Sequence, residues 1–354
     1  MRWDNLAIRE PHDEPASAAS PGGRIPLPLF QQGAVVRTFA TPEFRGITFY
    51  EVNAKSIINR VPAASHMPFR WTINPYRGCS HSCGYCFARK THNYLDLDSG
   101  EDFNSKIVVK INAPERLRIE LARASWSGEH IAMGTNVDPY QRAEGRYRLM
   151  RGILEALRDA ANPFSILTKG SLILRDLDLL EECASLTDVG ANVSVGFVDR
   201  GVWRTLEPGT PSPQKRLQVC RTLNDAGVGC GVLMAPIIPF LTDSPPQLAA
   251  TVRAIADSGA RHVSPIVLHL RPGAREWFLA WLGEHHTELV PRYERLYAGR
   301  AYAPSAYQNE VCGKVHDLAR RFGIGRLRPG DVRRRSPRPR PPARPPVPEQ
   351  LGLL

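Results

Sequence analysis

Residues 73–90 read INPYRGCSHSCGYCFARK and hold three of the seven cysteines within eight positions. The spacing is Cys79-x3-Cys83-x2-Cys86, and it follows an apolar run that is typical of a β-strand. In a reducing compartment, thiols clustered this closely more often bind metal or do chemistry than form disulfides. The remaining cysteines lie in apolar surroundings and are expected to be small buried hydrophobes. They are Cys183, Cys220, Cys230 and Cys312.

Two simpler interpretations compete with a reactive metal cluster. Positions i, i+4 and i+7 share one face of a helix, so a buried stripe of cysteines is the first. Several intervening residues break or weaken a helix and permit a tight loop instead; they are Pro75, Gly78, Ser80, Ser82 and Gly84. The second is a structural zinc ion with His81 or His92 as fourth ligand.

Three thiolates without a fourth would leave one iron of a four-iron, four-sulfur cubane open. An amino-carboxylate ligand such as the methionine end of S-adenosylmethionine chelates such an iron, with its sulfonium beside a reducing cluster. The spacing therefore favours a redox cofactor site over a purely structural one.

Short β-rich runs alternate with stretches of helical spacing, which is the pattern of a parallel sheet with crossover helices. We predict an α/β fold, an incomplete (β/α)6 barrel whose ligands collect beyond the carboxyl ends of the strands. The predicted strands are 69–76, 130–136, 164–169, 191–197, 230–237 and 262–270. The predicted helical stretches are 146–160, 175–186, 212–227 and 244–259.

Both ends of the chain differ in composition from its centre. We expect a mobile N-terminal arm (1–45), a core domain (46–300), a C-terminal helical extension (301–325) and a disordered Arg/Pro-rich tail (326–354). Residues 326–348 contain eight Arg and one Asp, so seven of the eleven net positive charges lie there. Such a tail either contacts nucleic-acid phosphates, serves as a solvated spacer or binds a proline-recognition domain.

Hydropathy gives an expectation for location. No apolar run approaches the roughly 18–20 residues that a membrane span needs, and the N-terminus has no secretion signal. We therefore expect a cytoplasmic protein without a membrane partner.

The cysteine motif, with Tyr85 before its last cysteine, resembles the signature of radical S-adenosylmethionine enzymes. The wider sequence is similar to the spore photoproduct lyase-like branch of that superfamily, from about residue 50 to about 285. The stretches that carry this likeness are NPYRGCSHSCGYCFAR (74–89), DPYQRAE (138–144), TKGSLILRD (168–176), LEPGTPSP (206–213) and APIIPF (235–240).

The resemblance implies a partial barrel, a [4Fe-4S] cluster on Cys79, Cys83 and Cys86, and bound S-adenosylmethionine. It also implies a one-electron reductant from the cytoplasm and a substrate that the motif does not identify. The implied cofactor contacts are Tyr85 near the adenine, Gly134, Thr135 and Asn136 near the amino group, Lys169 at the carboxylate and Ser194 at the ribose.

Other polar residues near the predicted site have two interpretations each. A loop after the second strand either holds substrate or solvates a turn; its residues are Asp138, Tyr140, Gln141 and Glu144. Arg204, Glu207 and Arg271 are expected at the open end, where a polar substrate would enter. Four cations flank the cysteines and would offset cluster charge, namely Arg77, His81, Arg89 and Lys90.

The leading hypothesis is reductive cleavage of S-adenosylmethionine to a 5′-deoxyadenosyl radical that acts on an unidentified substrate. One alternative is photoproduct lyase chemistry on DNA, which by the resemblance also needs a hydrogen-donor cysteine in the barrel. Another alternative is a nucleic-acid-binding protein with a structural metal site and a phosphate-binding tail.

Overall fold

The computed structural model describes residues 33–65 and 67–325. The basic tail and most of the predicted N-terminal arm lie outside the described residues. Within them, two sheets and the helices that cover them share a large apolar core.

A seven-stranded sheet has the order β11-β10-β9-β8-β7-β4-β3. Six of its strands run parallel and correspond to the six predicted ones, while β3 adds an antiparallel edge. In the described part of the chain no ladder joins β3 to β11, so the barrel is open, and the predicted fold class is confirmed. The strands are β3 (Ile58–Arg60), β4 (Trp71–Ile73), β7 (Ile131–Met133), β8 (Phe164–Thr168), β9 (Val189–Ser194), β10 (Cys230–Ile237) and β11 (Val263–Val267).

A second sheet, which the sequence analysis did not predict, has the order β1-β2-β6-β5. Its strands are β1 (Val35–Thr38), β2 (Thr48–Val52), β5 (Tyr76–Arg77) and β6 (Lys106–Lys110). Strand β1 pairs with β2 over four residues, so the last part of the predicted arm is a strand and not a free segment. Backbone hydrogen bonds hold β1 to β2 in the second sheet.

The predicted strand 69–76 divides between the two sheets. Strand β4 ends at Ile73, and after Asn74 and Pro75 the chain continues as β5 in the second sheet. Proline cannot donate a ladder hydrogen bond, which explains the change of partner. Its carbonyl instead accepts from the Lys110 amide at 3.0 Å. The cysteine segment therefore starts where the two sheets meet.

Helices follow the parallel strands and cover the sheet, as the helical stretches predicted. The four predicted stretches form α4, α5, α7 and α8. The helices are α1 (Glu101–Ser105), α2 (Ala113–Leu121), α3 (Arg142–Tyr147), α4 (Leu149–Asp159), α5 (Leu177–Leu186), α6 (Arg200–Leu206), α7 (Pro213–Asp225), α8 (Pro245–Asp257), α9 (Ala274–His285), α10 (Val290–Tyr297) and α11 (Ser305–Arg321). Helix α11 lies within the predicted C-terminal extension.

None of the helices in the described residues is both long and apolar enough to cross a bilayer.

Candidate functional site

The three clustered cysteines lie on an irregular loop between β5 and a 3-10 helix (Phe87–Leu95), which excludes a helical stripe. Gly78 opens the loop at φ 78°, and a Cβ there would lie 2.8 Å from the Lys106 carbonyl oxygen. Only glycine fits so close an approach in the left-handed region. The Cys79 amide donates to the Phe103 carbonyl at 2.9 Å, so the loop is tied to α1.

Gln141 holds the first half of the cysteine loop in place by two hydrogen bonds. Its Nε2 donates to the Gly78 carbonyl at 2.9 Å, and its Oε1 accepts from the Ser80 amide at 3.0 Å. The side chain is fully buried. Gln141 therefore shapes the cysteine loop; it is not part of a solvated turn.

Burial dominates the chemistry of the thiols. Cys79 and Cys83 are buried and Cys86 is half-buried. Loss of solvent raises the pKa of all three, to about 12 for Cys83. Nearby positive charges, first Lys169 and then Arg216, oppose that rise in the pKa of Cys83. A ligated metal centre would hold the same thiols as thiolates, so this donor set fits an iron–sulfur cluster.

The arrangement does not favour a single zinc ion. Across residues 33–65 and 67–325, no three His, Cys, Asp or Glu side chains converge closely enough to hold one metal ion. A cubane differs because each thiolate binds its own iron atom, and the thiols therefore stand further apart. His92 Nε2 lies 2.9 Å from the Lys106 carbonyl, and His81 Nδ1 lies 3.4 Å from Asp138 Oδ2. Each histidine keeps its other ring nitrogen, as metal-ligating histidines commonly do, so zinc is disfavoured because the ligands of the described residues do not converge.

Three predicted cofactor contacts come together beside the loop. Lys169 Nζ donates to Ser194 Oγ at 2.9 Å and lies 5.6 Å from the centre of the Tyr85 ring. Lys169 follows β8 and Ser194 ends β9, so neighbouring strands deliver both side chains to one point. The two residues are 25 positions apart in the sequence, so no local pattern pairs them.

Gly134, Thr135 and Asn136 follow β7 at the same end of the sheet. Gly134 has φ 81°, and a Cβ would lie 1.8 Å from the Leu167 carbonyl oxygen. This turn ends β7 at Met133, earlier than the predicted 136. Thr135 and Asn136 are half-buried there.

Asp138 connects three segments of the site. Its carboxylate accepts from Thr168 Oγ1 at 2.5 Å and from the Lys169 and Tyr140 amides at 2.6 and 2.9 Å. Burial alone would raise the pKa of Asp138, but the charge and hydrogen bond of His81, together with the hydrogen bonds from the Lys169 amide and Thr168, lower it to about 2. Asp138 therefore stays ionised and orients the Lys169 backbone.

The rest of this loop is also structural. Tyr140 donates to Asp176 Oδ2 at 3.1 Å, and Glu144 accepts from Tyr76 and Arg175 at 2.5 Å each. Tyr140 and Glu144 are buried. The interpretation of a substrate-holding loop is thus not supported by their contacts.

Glu207 differs from its prediction, because it is not accessible to an entering substrate. It is fully buried and accepts hydrogen bonds from the Tyr85 hydroxyl and from Arg216, which is buried as well. Arg216 also donates to the Ser194 carbonyl at 2.7 Å. Arg216 was not predicted as a site residue, because it occupies an ordinary position in an amphipathic helix. The pair locks Tyr85, between Cys83 and Cys86, to the end of β9.

Arg204 and Arg271 are exposed, as expected. Arg271 donates to the Tyr302 hydroxyl at 2.5 Å, and its guanidinium carbon lies 5.9 Å from the centre of the Phe87 ring. Phe87 directly follows Cys86, so Arg271 does lie at the open end. Of the four flanking cations, His81 and Arg89 are buried, Arg77 is half-buried and Lys90 is exposed.

Two relatives are similar to this chain in sequence, and a solved structure is similar to it in fold. An uncharacterized protein of Mycobacterium tuberculosis (strain ATCC 25618 / H37Rv), Rv2578c, is 46% identical over 324 residues, 92% of this chain and 93% of the relative. The uncharacterized protein MJ0683 of Methanocaldococcus jannaschii is 32% identical over 202 residues, 56% of this chain and 70% of the relative. A structure of spore photoproduct lyase complexed with dinucleoside spore photoproduct has a TM-score of 0.59 at 15% identity, covering 78% of this chain and 80% of that one.

The likeness to the spore photoproduct lyase structure shows the fold alone. A match to a sequence family also shows family membership. The Radical SAM superfamily matches residues 73–252, about half of the chain, from the end of β4 into α8. That range contains the cysteine loop and the carboxyl ends of β7, β8 and β9, where the predicted cofactor contacts lie. The chain therefore belongs to the radical SAM superfamily, a class of enzymes that use S-adenosylmethionine and an iron–sulfur cluster.

Proposed function

We propose that this enzyme reductively cleaves S-adenosylmethionine to methionine and a 5′-deoxyadenosyl radical at a [4Fe-4S] cluster bound by Cys79, Cys83 and Cys86. The radical then abstracts hydrogen from a substrate. One observation carries the proposal: three buried or half-buried thiols lie on a braced loop that faces Lys169 at the carboxyl ends of parallel strands.

The residues around the loop have separate roles in this proposal. Lys169 binds the carboxylate of S-adenosylmethionine as a point charge, and Ser194 binds the ribose. Tyr85 contributes to the adenine region, and Gly134, Thr135 and Asn136 to the amino group. The Lys169–Ser194 hydrogen bond supports this assignment, because it places the ammonium and hydroxyl groups 2.9 Å apart, close enough for one ligand to contact both.

The test is anaerobic reconstitution with iron and sulfide, then reduction with dithionite and an assay for 5′-deoxyadenosine. The wild type should form it, and Cys83→Ala should lose both cluster absorbance and product. Cys220→Ala is the matched control, since Cys220 is a buried thiol in α7 outside the loop. A Cys83→Ala protein that stays active without a cluster would refute the proposal, as would a wild type that binds zinc and yields no product.

Photoproduct lyase chemistry is less well supported. The resemblance requires a hydrogen-donor cysteine in the barrel, but Cys183 is on α5, Cys220 on α7, Cys230 at the start of β10 and Cys312 on α11. None of these positions is at the carboxyl end of a strand, where the site is. We therefore expect the enzyme to leave irradiated DNA unchanged under reducing conditions; repair of the lesion would favour the lyase instead.

A further inference from the structure

Arg89 is a buried cation directly behind the cysteine loop. It lies three residues after Cys86 in the 3-10 helix, with no solvent exposure. Its guanidinium carbon lies 4.4 Å from the centre of the Trp277 ring and 5.2 Å from that of Phe103. These rings exclude water and keep the charge in surroundings of low polarity.

In the described residues, the groups that accept hydrogen bonds from Arg89 are neutral. Its terminal nitrogens donate to the Cys83 carbonyl at 3.1 Å, to Asn104 Oδ1 at 2.9 Å and to the Gly100 carbonyl at 2.8 Å. A longer bond, of 3.3 Å, reaches the Ser99 carbonyl. Within the described ranges no carboxylate forms an ion pair with Arg89; Glu101, an acid whose charge acts on it, is exposed.

A buried charge without a counter-ion is costly, and an arginine in a protein does not lose its proton. Arg89 Nε is in addition a buried donor that finds no acceptor in the part of the chain that the structure describes. Among the described side chains around it none carries the negative charge that would balance it; the three cysteine thiolates and the cluster that they are proposed to bind would supply that charge. Arg89 contacts the backbone of the central cysteine, Cys83, so the two charges are close.

We propose that Arg89 raises the reduction potential of the cluster by its buried positive charge. The inference rests on the proposed function. Reduction transfers one electron from a low-potential one-electron reductant to the cluster and makes the site more negative by one charge. A fixed cation nearby stabilises that reduced state more than the oxidised one. Arg89 is thus a positioning and electrostatic residue that does not contact the substrate.

The experiment is an anaerobic redox titration of the reconstituted protein, followed by electron paramagnetic resonance of the reduced cluster. In Arg89→Met the ratio of reduced to oxidised cluster at a fixed solution potential should fall about tenfold or more. That fall corresponds to a midpoint lower by about 59 mV for a one-electron couple. Arg89→Lys keeps the charge and should stay close to the wild type.

Two further variants separate charge from structure. Asn104→Asp puts a carboxylate of nearly the same shape against the guanidinium and should lower the midpoint in the same direction. Lys90→Met removes a positive charge from the next residue, which is exposed. Because water screens that charge, the ratio of reduced to oxidised cluster at a fixed potential should stay within a few-fold of the wild type.

The outcomes are distinguishable. A wild type that takes up no iron–sulfur cluster overturns the proposed function itself. A cluster that forms normally but has an unchanged midpoint in Arg89→Met and Asn104→Asp overturns the role of Arg89 alone. If Arg89→Met does not retain its cluster, the midpoint potential of Asn104→Asp tests the role of Arg89 instead. An equal fall in Arg89→Lys or Lys90→Met would also contradict a specific effect of the buried charge.

Discussion

Replacing Glu207 by Gln should strongly destabilise the protein. The carboxylate is fully buried and accepts from both the Tyr85 hydroxyl and Arg216. A glutamine of similar size turns an amide group toward one of these donors and leaves the Arg216 charge unpaired. Removal of one partner of a buried ion pair typically costs about 3–5 kcal/mol, and at this site it should also loosen Tyr85 and the cysteine loop.

The assay is urea unfolding of the metal-free protein, compared with iron uptake after reconstitution. Glu310→Gln is the control, because Glu310 pairs with Lys314 on the exposed face of α11. Such a surface pair contributes about 0.5 kcal/mol or less. A Glu207→Gln protein whose unfolding free energy falls by no more than that of the control would refute the assignment of Glu207 as an anchor of the loop.

The pH dependence gives a second test of the same residue. Burial raises the pKa of Glu207, but the charges of Arg216 and Lys169 and the Tyr85 hydrogen bond outweigh it and hold the pKa below its ordinary value. The stabilisation is therefore fully present above the ordinary carboxyl pKa of about 4.3 and is lost as the pH falls through the lower folded value. The difference between wild type and Glu207→Gln should shrink on acidification; a constant difference would contradict this account.

Three further substitutions test other parts of the site. Gly134→Ala should lower the free energy of unfolding in urea by about 2–5 kcal/mol, because of left-handed strain and a clash with the Leu167 carbonyl. The control is Gly259→Ala, at φ 72° with nothing near its Cβ position, which should lower it by only about 1–2 kcal/mol. Lys169→Met should weaken S-adenosylmethionine binding about tenfold or more in equilibrium dialysis while the iron content is kept, because a charge-assisted hydrogen bond is lost. Asp138→Asn should lower the free energy of unfolding in urea by about 1–3 kcal/mol, because the backbone amides and the hydroxyl that donate to Asp138 lose a charged acceptor. An unchanged urea midpoint would contradict the role of Asp138 as a connector of three segments.

The parallel sheet was predictable because each of its strands is a short apolar run between helix boundaries. The second sheet was not. Strand β6 is apolar enough to be recognised, but β5 has two residues and β1 begins in a segment whose composition favours disorder. Their pairing depends on tertiary contacts, which local propensity does not contain.

The cysteines were predictable for a different reason, since their spacing is itself the signal. The residues that brace them were not, because their partners are distant in sequence. Tyr85 and Glu207 are separated by 122 positions, and Ser80 and Gln141 by 61. Arg216 looks like any polar residue of an amphipathic helix until the fold brings it to the end of β9.

This bracing explains how a loop rich in glycine and serine keeps one shape. The Gly84 amide donates to the Leu206 carbonyl, and the Gly209 amide donates to the His81 carbonyl, so the segment around Glu207 holds the loop through main-chain contacts as well. A loop already ordered by the protein does not have to lose its conformational entropy when a cofactor binds. In a zinc finger, by contrast, the metal itself drives folding. The energy of cluster binding can then be used to hold the three thiols as thiolates, which their raised pKa values would otherwise oppose.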